Sequence, residues 1–450
     1  MDQPSTPAES EAEADEASGL FLFAVLAVVV GALAGLVATL FRISLYLLDV
    51  QRNEILAWAQ PRGTLGLLTV AAVAAALTAL AAFLVHRLAP RTAGSGIPDV
   101  EAVIGGKIAP AHLVLLPVKF VGGVLAIGAG LALGREGPSV QMGGMIAGFL
   151  GSGLRCSWYE TRALIAAGAA AGLATAFNAP IAGAVFVLDE ILKRFETRTT
   201  IATLGASASA IVVMRAILGP DRDFNVPPFA EPALTAMPLY LLLGVFIGFA
   251  GVAYNRVTIG TLSAADHLQH WPVEVRAGLV GAGIGVLGWF APDLIGGGDA
   301  ITQRVLAGGV SLAVLPGLFL LRFGLNAVSY AARTPGGLFA PMLVLGASLG
   351  QIAGLLFQML WPEVRPDAFA VVGMAAFFAA AVRAPVAGMV LVVEMTGGFG
   401  LLLPMLGASF AAMVVPTLLR DPPIYDALRV RSVVIDTVPA PAGEPPVSKE

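Results

Sequence analysis

Long apolar stretches recur along most of this chain. Residues 20–39, 66–85, 112–133 and 238–253 carry a single formally charged side chain between them, Lys119. About 20 consecutive apolar residues suffice for a helix to cross the hydrocarbon core of a bilayer. The chain is 57% hydrophobic and only 12% charged, whereas a soluble domain is about 25% charged. Lipid is therefore the solvent this sequence is built for. The apolar segments are spread over the chain and are not followed by one soluble body, which argues against a signal peptide or a single anchor. A transmembrane β-barrel needs alternating segments of about 10 residues, and the sequence has none. The expected fold class is an all-α membrane protein.

Glycine is abundant at 53 residues, as expected where helix backbones approach closely in lipid. The one cysteine, Cys156, excludes a disulfide within the chain. The four histidines, His86, His112, His267 and His270, have no metal-ligand spacing, so no metal is expected. There is no basic patch for nucleic acid, no phosphate-binding GxxxxGK[ST] loop and no redox centre. Residues 1–18 are polar and acidic and read as a disordered tail; 432–450, rich in proline, read likewise. The transmembrane domain is expected between them, at 19–431.

That central region contains an internal repeat. Residues 168–190, GAAAGLATAFNAPIAGAVFVLDE, align without gaps on 373–395, GMAAFFAAAVRAPVAGMVLVVEM, 205 positions on. The pair shares Ala179/Ala384, Pro180/Pro385 and Gly183/Gly388, and sets Asp189 opposite Glu394. A second landmark, Gly134-Arg135-Glu136-Gly137-Pro138, matches Gly337-Leu338-Phe339-Ala340-Pro341 at an offset of 203. Two landmarks at nearly one offset imply two halves, about 20–215 and 235–430. Transporters repeat in this way and bind their cargo where the halves meet; inverted halves are expected here. Pro98, Pro138, Pro180, Pro341 and Pro385 interrupt the apolar pattern, so many short, tilted, broken helices are expected. Broken helices survive at membrane depth only when buried or lining a watery cavity.

Three segments share one design, a glycine-rich turn, a proline and then an apolar helix: Gly94-Ser95-Gly96-Ile97-Pro98, Gly134-Arg135-Glu136-Gly137-Pro138 and Gly336-Gly337-Leu338-Phe339-Ala340-Pro341. Proline suits the first helical position, and a helix start offers unpaired N–H groups with partial positive charge. Each segment alone could be an ordinary turn. Three helix starts aimed at one point would hold a dehydrated anion without a full charge that binds too tightly for release.

In this order and spacing, GSGIP, GREGP and GGLFAP resemble the signature segments of the CLC chloride channels and transporters. The stretches GAAAGLATAFNAP and RAPVAG and the late Pro423-Ile424-Tyr425 are similar to that family as well, so the resemblance covers roughly 20–430. It implies a homodimer with one pathway per subunit. It implies an anion site made by Ser95, Gly96, Ile97, Glu136, Leu338, Phe339 and Tyr425, with hydroxyls from Ser95 and Tyr425 and amides from Leu338 and Phe339. Serine at position 95 is the chloride-type choice; relatives with proline there favour nitrate.

By the same resemblance Glu136 is the gating glutamate. Ionised, it would occupy the anion site and block; protonated, it would swing away, and one group trading a proton for an anion couples two fluxes. Glu190 matches the glutamate through which antiporters of the family take protons from the cytoplasmic side, where channels usually carry a neutral residue. An acid inside an apolar run costs roughly 2.5–3.5 kcal/mol at mid-membrane and is functional by default; snorkelling beside Lys193 and Arg194 is the plainer alternative. Asp189 is a weaker candidate, for water access. Lys119 and Arg135 would support the anion electrostatically, with Glu101 as the expected partner of Lys119. Glu394 reads as structural. One departure stands out: Arg333, in Ala331-Ala332-Arg333-Thr334-Pro335, replaces a glycine that many relatives carry, and would add charge to a vestibule or alter the loop.

The function expected on these grounds is secondary active chloride/proton antiport, with bound chloride and no cofactor. A passive chloride channel of the same family is the alternative. A membrane-embedded enzyme using Glu136 and Glu190 as acid and base lacks a nucleophile or metal cluster beside them. The lack of a regulatory domain after the last apolar segment points to a prokaryotic inner membrane. Scattered Arg and Lys give no orientation.

Overall fold

The protein was analysed as a computed structural model that describes residues 7–436 except 230 and 269, with side chains for 19–431. The remainder of the two expected tails lies outside the described residues. Helix α1 opens at Pro7, inside the stretch expected to be a tail. The first half of the chain forms α1 (Pro7–Ala59), α2 (Gly63–Leu88), α3 (Ile97–Ile104), α4 (Leu116–Gly128), α5 (Glu136–Gly153), α6 (Trp158–Phe177), α7 (Pro180–Phe186) and α8 (Thr197–Leu218). The second half forms α9 (Met237–His267), α10 (Val273–Phe290), α11 (Asp299–Leu306), α12 (Leu315–Ala331), α13 (Phe339–Leu360), α14 (Pro366–Val382), α15 (Pro385–Thr396) and α16 (Leu402–Leu418). Helix α17 (Ile424–Asp436) follows outside the repeat.

The two sets of eight repeat each other down to backbone torsions. Asn178 ends α6 and Arg383 ends α14 in the left-handed region, at φ 52° and 73°. The next two residues, Ala-Pro in both, open α7 and α15. Gly96 and Gly298 open α3 and α11 at φ 83° and 106°, where a side chain would be strained. Proline supplies the first turn of α3, α7 and α15, because it is preset for a helix start.

Helices α6 and α14 are buried on all sides, as apolar helices without a polar face must be. Each packs on the helix before it through glycine pairs. Gly143 of α5 faces Gly168 of α6, and Gly346 of α13 faces Gly373 of α14; a Cβ on any of the four would overlap a carbonyl oxygen of its opposite number. Small residues thus let these backbones touch. Large apolar side chains stand outward on the flanking helices, such as Phe246 on α9 and Phe410 on α16, which is the surface lipid requires.

Among the described residues, six helical stretches are long and apolar enough to cross a membrane: Gly19–Leu88, Thr197–Leu218, Leu234–His267, Val273–Phe290, Phe339–Leu360 and Phe399–Leu418. Helices α3, α7 and α11 are far shorter, at 8, 7 and 8 residues. A helix of that length covers only about 12 Å, so these break off inside the membrane's depth. The residues that cap their starts, Gly96, Ala179 and Gly298, are buried in protein, as the bilayer demands.

Candidate functional site

The three glycine–proline segments become the starts of α3, α5 and α13, and backbone hydrogen bonds tie them together. Gly134 and Gly337 exchange N–H···O=C bonds of 2.9 and 2.7 Å. These glycines occupy matching places in the two halves, so the reciprocal pair has the form a two-fold relation gives. The Gly94 N–H donates to Thr334 O and the Gly336 N–H donates to Gly94 O, both at 3.1 Å. The loop before α13 therefore lies against both of the others.

Glu136 is the first residue of α5 and fully buried. Its Oε1 accepts the Phe339 N–H at 2.7 Å, while Oε2 has no partner among the described residues. The carboxylate is packed so closely on Gly134 and Gly337 that a Cβ at either would overlap it. The absence of side chains there is what admits it. Gly137, the next residue, touches Ser95 in the same way.

Ser95 is buried, and its Oγ has no hydrogen-bond partner among the described residues. Its N–H donates to the Tyr330 hydroxyl at 3.3 Å. Tyr425, near the start of α17, is fully buried; its ring lies 6.0 Å from that of Phe339, and its hydroxyl too is unpartnered. Gly96, Ile97, Leu338 and Phe339 are buried beside them. Buried polar atoms are normally satisfied. Two hydroxyls and a carboxylate oxygen without a hydrogen-bond partner among the described residues thus lie along one chain of contacts.

Lys119 is fully buried on α4, but not against Glu101. Its ammonium donates to Thr92 O at 3.1 Å and Gly94 O at 2.8 Å, fixing the loop that presents Ser95. Glu101 pairs with Arg429 of α17 instead. The expected Lys119–Glu101 pair does not form, because the Lys119 ammonium is held at the loop before α3 while Glu101 faces α17. In the second half Arg322 of α12 repeats the device, donating to the carbonyls of Leu294, Gly296 and Gly297 at 2.9–3.1 Å.

Arg135 is not a free charge. It donates to Asp223 (2.9 Å), Asp299 (3.0 Å) and Ala176 O (2.8 Å), and Asp223 also accepts from Arg42 at 2.8 Å. Two arginines and two aspartates balance each other just before Glu136. Sequence reasoning passed over Arg42, Asp223 and Asp299. The legible signal was Arg42, the lone formal charge in 19–48.

Glu190 is buried and does not snorkel. Helix α7 widens into a π turn at Val187–Ile191, which carries both Asp189 and Glu190; such turns are frequent at functional sites. Phe186, four residues earlier, packs its ring edge on Phe339 at 5.0 Å. Glu190 thus lies about one helical turn, some 6 Å, beyond the aromatic layer that borders Glu136. Glu394 accepts the N–H groups of Ile181 and Ala182 at 3.2 and 2.7 Å, capping α7. Asp189, its counterpart, faces the N–H of Ala387 at the start of α15. A cavity of about 260 Å³ runs to Ser95 and Gly96, with Arg91, Tyr330, Arg333 and Arg431 in its wall.

The family description "Voltage gated chloride channel" matches residues 77–417. The H(+)/Cl(-) exchange transporter ClcA of Vibrio cholerae serotype O1 (strain M66-2) is 39% identical over 421 residues, 91% of this chain and 89% of that protein. The transporter of the same name from Salmonella paratyphi A is 34% identical over 437 residues, 93% of this chain and 92% of that protein. The crystal structure of a slow cyanobacterial Cl-/H+ antiporter superimposes with a TM-score of 0.88 at 33% identity, covering 92% of this chain and 98% of that one. A CLC-type fluoride/proton antiporter, at 22% identity and a TM-score of 0.76, shares the fold. With a family match over most of its length and relatives aligned nearly end to end, this chain is an integral membrane protein that belongs to the voltage gated chloride channel, or CLC, family.

Proposed function

We propose that the chain is a secondary active transporter that exchanges chloride for protons across the membrane. The observation that carries this reading is the buried Glu136 carboxylate seated on the Phe339 amide, with the unpartnered hydroxyls of Ser95 and Tyr425 close by. A carboxylate that accepts an N–H at a helix start occupies a place where a chloride ion can sit. Protonation removes its charge and with it the reason to stay. The relatives, named as exchange transporters and antiporters, support exchange over passive conduction.

In this reading Ser95, Gly96, Ile97, Leu338, Phe339 and Tyr425 cradle the dehydrated anion, and Glu136 competes for the same place. Glu190, buried in its π turn beyond Phe186, hands protons to and from Glu136. Lys119 supports the site by fixing the Ser95 loop, and Arg135 by anchoring the start of α5. The cargo is chloride and the counter-cargo protons; no cofactor or catalytic residue takes part. The protein works as a homodimer with one pathway per subunit, in lipid, in the inner membrane of a prokaryote such as the bacterial relatives inhabit.

Reconstitution into liposomes tests the proposal. A chloride gradient should drive protons uphill through the purified protein. Chloride flux with no proton movement would make it a passive channel instead.

A further inference from the structure

The cavity that reaches Ser95 has an unusual entrance. Arg333, in the loop before α13, and Arg431, on α17, both pair with one carboxylate, Asp266 near the end of α9. Arg431 also donates to Ser263 Oγ at 3.0 Å. Arg333 and Arg431 line the cavity directly, and Arg333 stays about one-third exposed. Arg91, also in the wall, is balanced by Asp99 at 2.9 Å. Arg276 and Glu274, on α10 nearby, are of opposite sign. Two arginines on one aspartate leave the entrance net positive.

Arg333 also holds a left-handed backbone, φ 56°, a conformation uncommon for side chains other than glycine, Asn, Asp and His. Three residues upstream, the Tyr330 hydroxyl accepts the Ser95 N–H; one residue downstream, Thr334 O accepts the Gly94 N–H. Backbone geometry here favours glycine, yet the chain carries a long cation that reaches the cavity mouth. Arg155, Lys193, Arg383 and Arg420 share this backbone elsewhere in the chain, and what sets Arg333 apart is its place in the cavity wall beside Arg431.

We propose that Arg333, with Arg431 across Asp266, gathers anions at the mouth of this vestibule and so sets the apparent chloride affinity of the exchange. The proposal rests on the chloride/proton reading above and adds to it a residue that touches no ion in the central site. A cleft lined by charge of one sign raises the local counter-ion concentration, and ionic strength weakens the effect.

The test is the apparent KM for chloride, measured on reconstituted protein at about 10 mM and about 1 M ionic strength set by an impermeant salt; the Debye length falls from roughly 30 to 3 Å across that range. Arg333→Gly suits the left-handed backbone and should fold normally. It should raise the KM about threefold at low ionic strength and leave it unchanged at high ionic strength, with the chloride-to-proton ratio untouched. Arg333→Lys should stay near the unmodified value. Asp266→Asn, which frees both arginines, should lower the KM at low ionic strength. A KM unmoved by Arg333→Gly, Gly and Lys variants that change alike, or a shift that survives 1 M salt would overturn the proposal. Unmodified protein that carries no chloride would overturn the exchange reading itself, and this inference with it.

Discussion

The N–H of Phe339 and the Oε1 of Glu136 meet at 2.7 Å across 203 residues of sequence. This one bond joins the start of α13 to the start of α5, the two matching helix starts of the repeat. Gly134 and Gly337 make room for it, since neither has a side chain to exclude the carboxylate. The acid therefore sits where the two halves meet, which is where repeat-built transporters place their cargo.

Glu136→Gln keeps the size of the side chain and removes its titration. Proton movement driven by a chloride gradient should fall by about a hundredfold or more, the scale of losing a proton-transfer group. Chloride flux should persist as an ungated leak. Parallel recordings of chloride efflux and proton uptake from the same liposomes decide the matter. Intact proton coupling in the variant would remove Glu136 from its assigned role.

Glu190→Gln should separate the two fluxes in a different way. The residue is buried in the π turn and does not line the cavity that reaches Ser95. Chloride binding, read by calorimetry on detergent-solubilised protein, should be unchanged within about twofold. Proton transport should be lost to the extent seen for Glu136→Gln. Should Glu190→Gln still pump protons uphill, the proton route must enter elsewhere, with Asp189 the next acid to test.

Much of this architecture could be read from the sequence, because it rests on local chemistry. Glycine followed by proline marks a helix start whatever surrounds it, so the starts of α3, α5 and α13 were legible. The repeat was legible too, and Ala179-Pro180 and Ala384-Pro385 do open matching helices. Partners brought together by the fold were not. Glu101 and Arg429 are 328 residues apart, and nothing near Glu101 in the chain points to α17. Lys119 was visible as a buried cation, but its partners are two backbone carbonyls, which every residue offers and no sequence pattern distinguishes. The π turn at Val187–Ile191 was equally hidden, since one extra residue in a helical turn leaves no mark on an apolar run.

Lys119 and Arg322 do the same job in the two halves, yet only one of the loops they hold carries Ser95. Lys119→Met leaves Thr92 O without its donor and Gly94 O with the Gly336 N–H alone, and Arg322→Met strips the carbonyls of Leu294, Gly296 and Gly297. Each orphaned carbonyl costs about 1–3 kcal/mol, so both variants should unfold at lower temperature. Only Lys119→Met should also weaken chloride binding, because it alone frees the loop before α3. Equal losses of affinity in the two variants would mean that general destabilisation, and not the Ser95 loop, is being measured.

The glycine contacts between α5 and α6 and between α13 and α14 give a matched pair of substitutions. Gly168→Ala places a methyl against the carbonyl of Gly143, and Gly373→Ala does the same against Gly346. Overpacking of a tight contact costs typically 1–3 kcal/mol, and the obstacle here is backbone, which cannot rotate away. Both variants should lower the thermal unfolding midpoint in detergent by similar amounts. At Gly19, where a Cβ meets nothing within 4 Å, alanine should be neutral. The effect on transport should differ in kind from that of the acids. Overpacking between α5 and α6 lowers the amount of correctly packed protein and leaves the titrating groups in place, so chloride and proton fluxes should fall in step, with their ratio preserved. A changed ratio in Gly168→Ala would show that the spacing of these two helices also tunes the coupling itself.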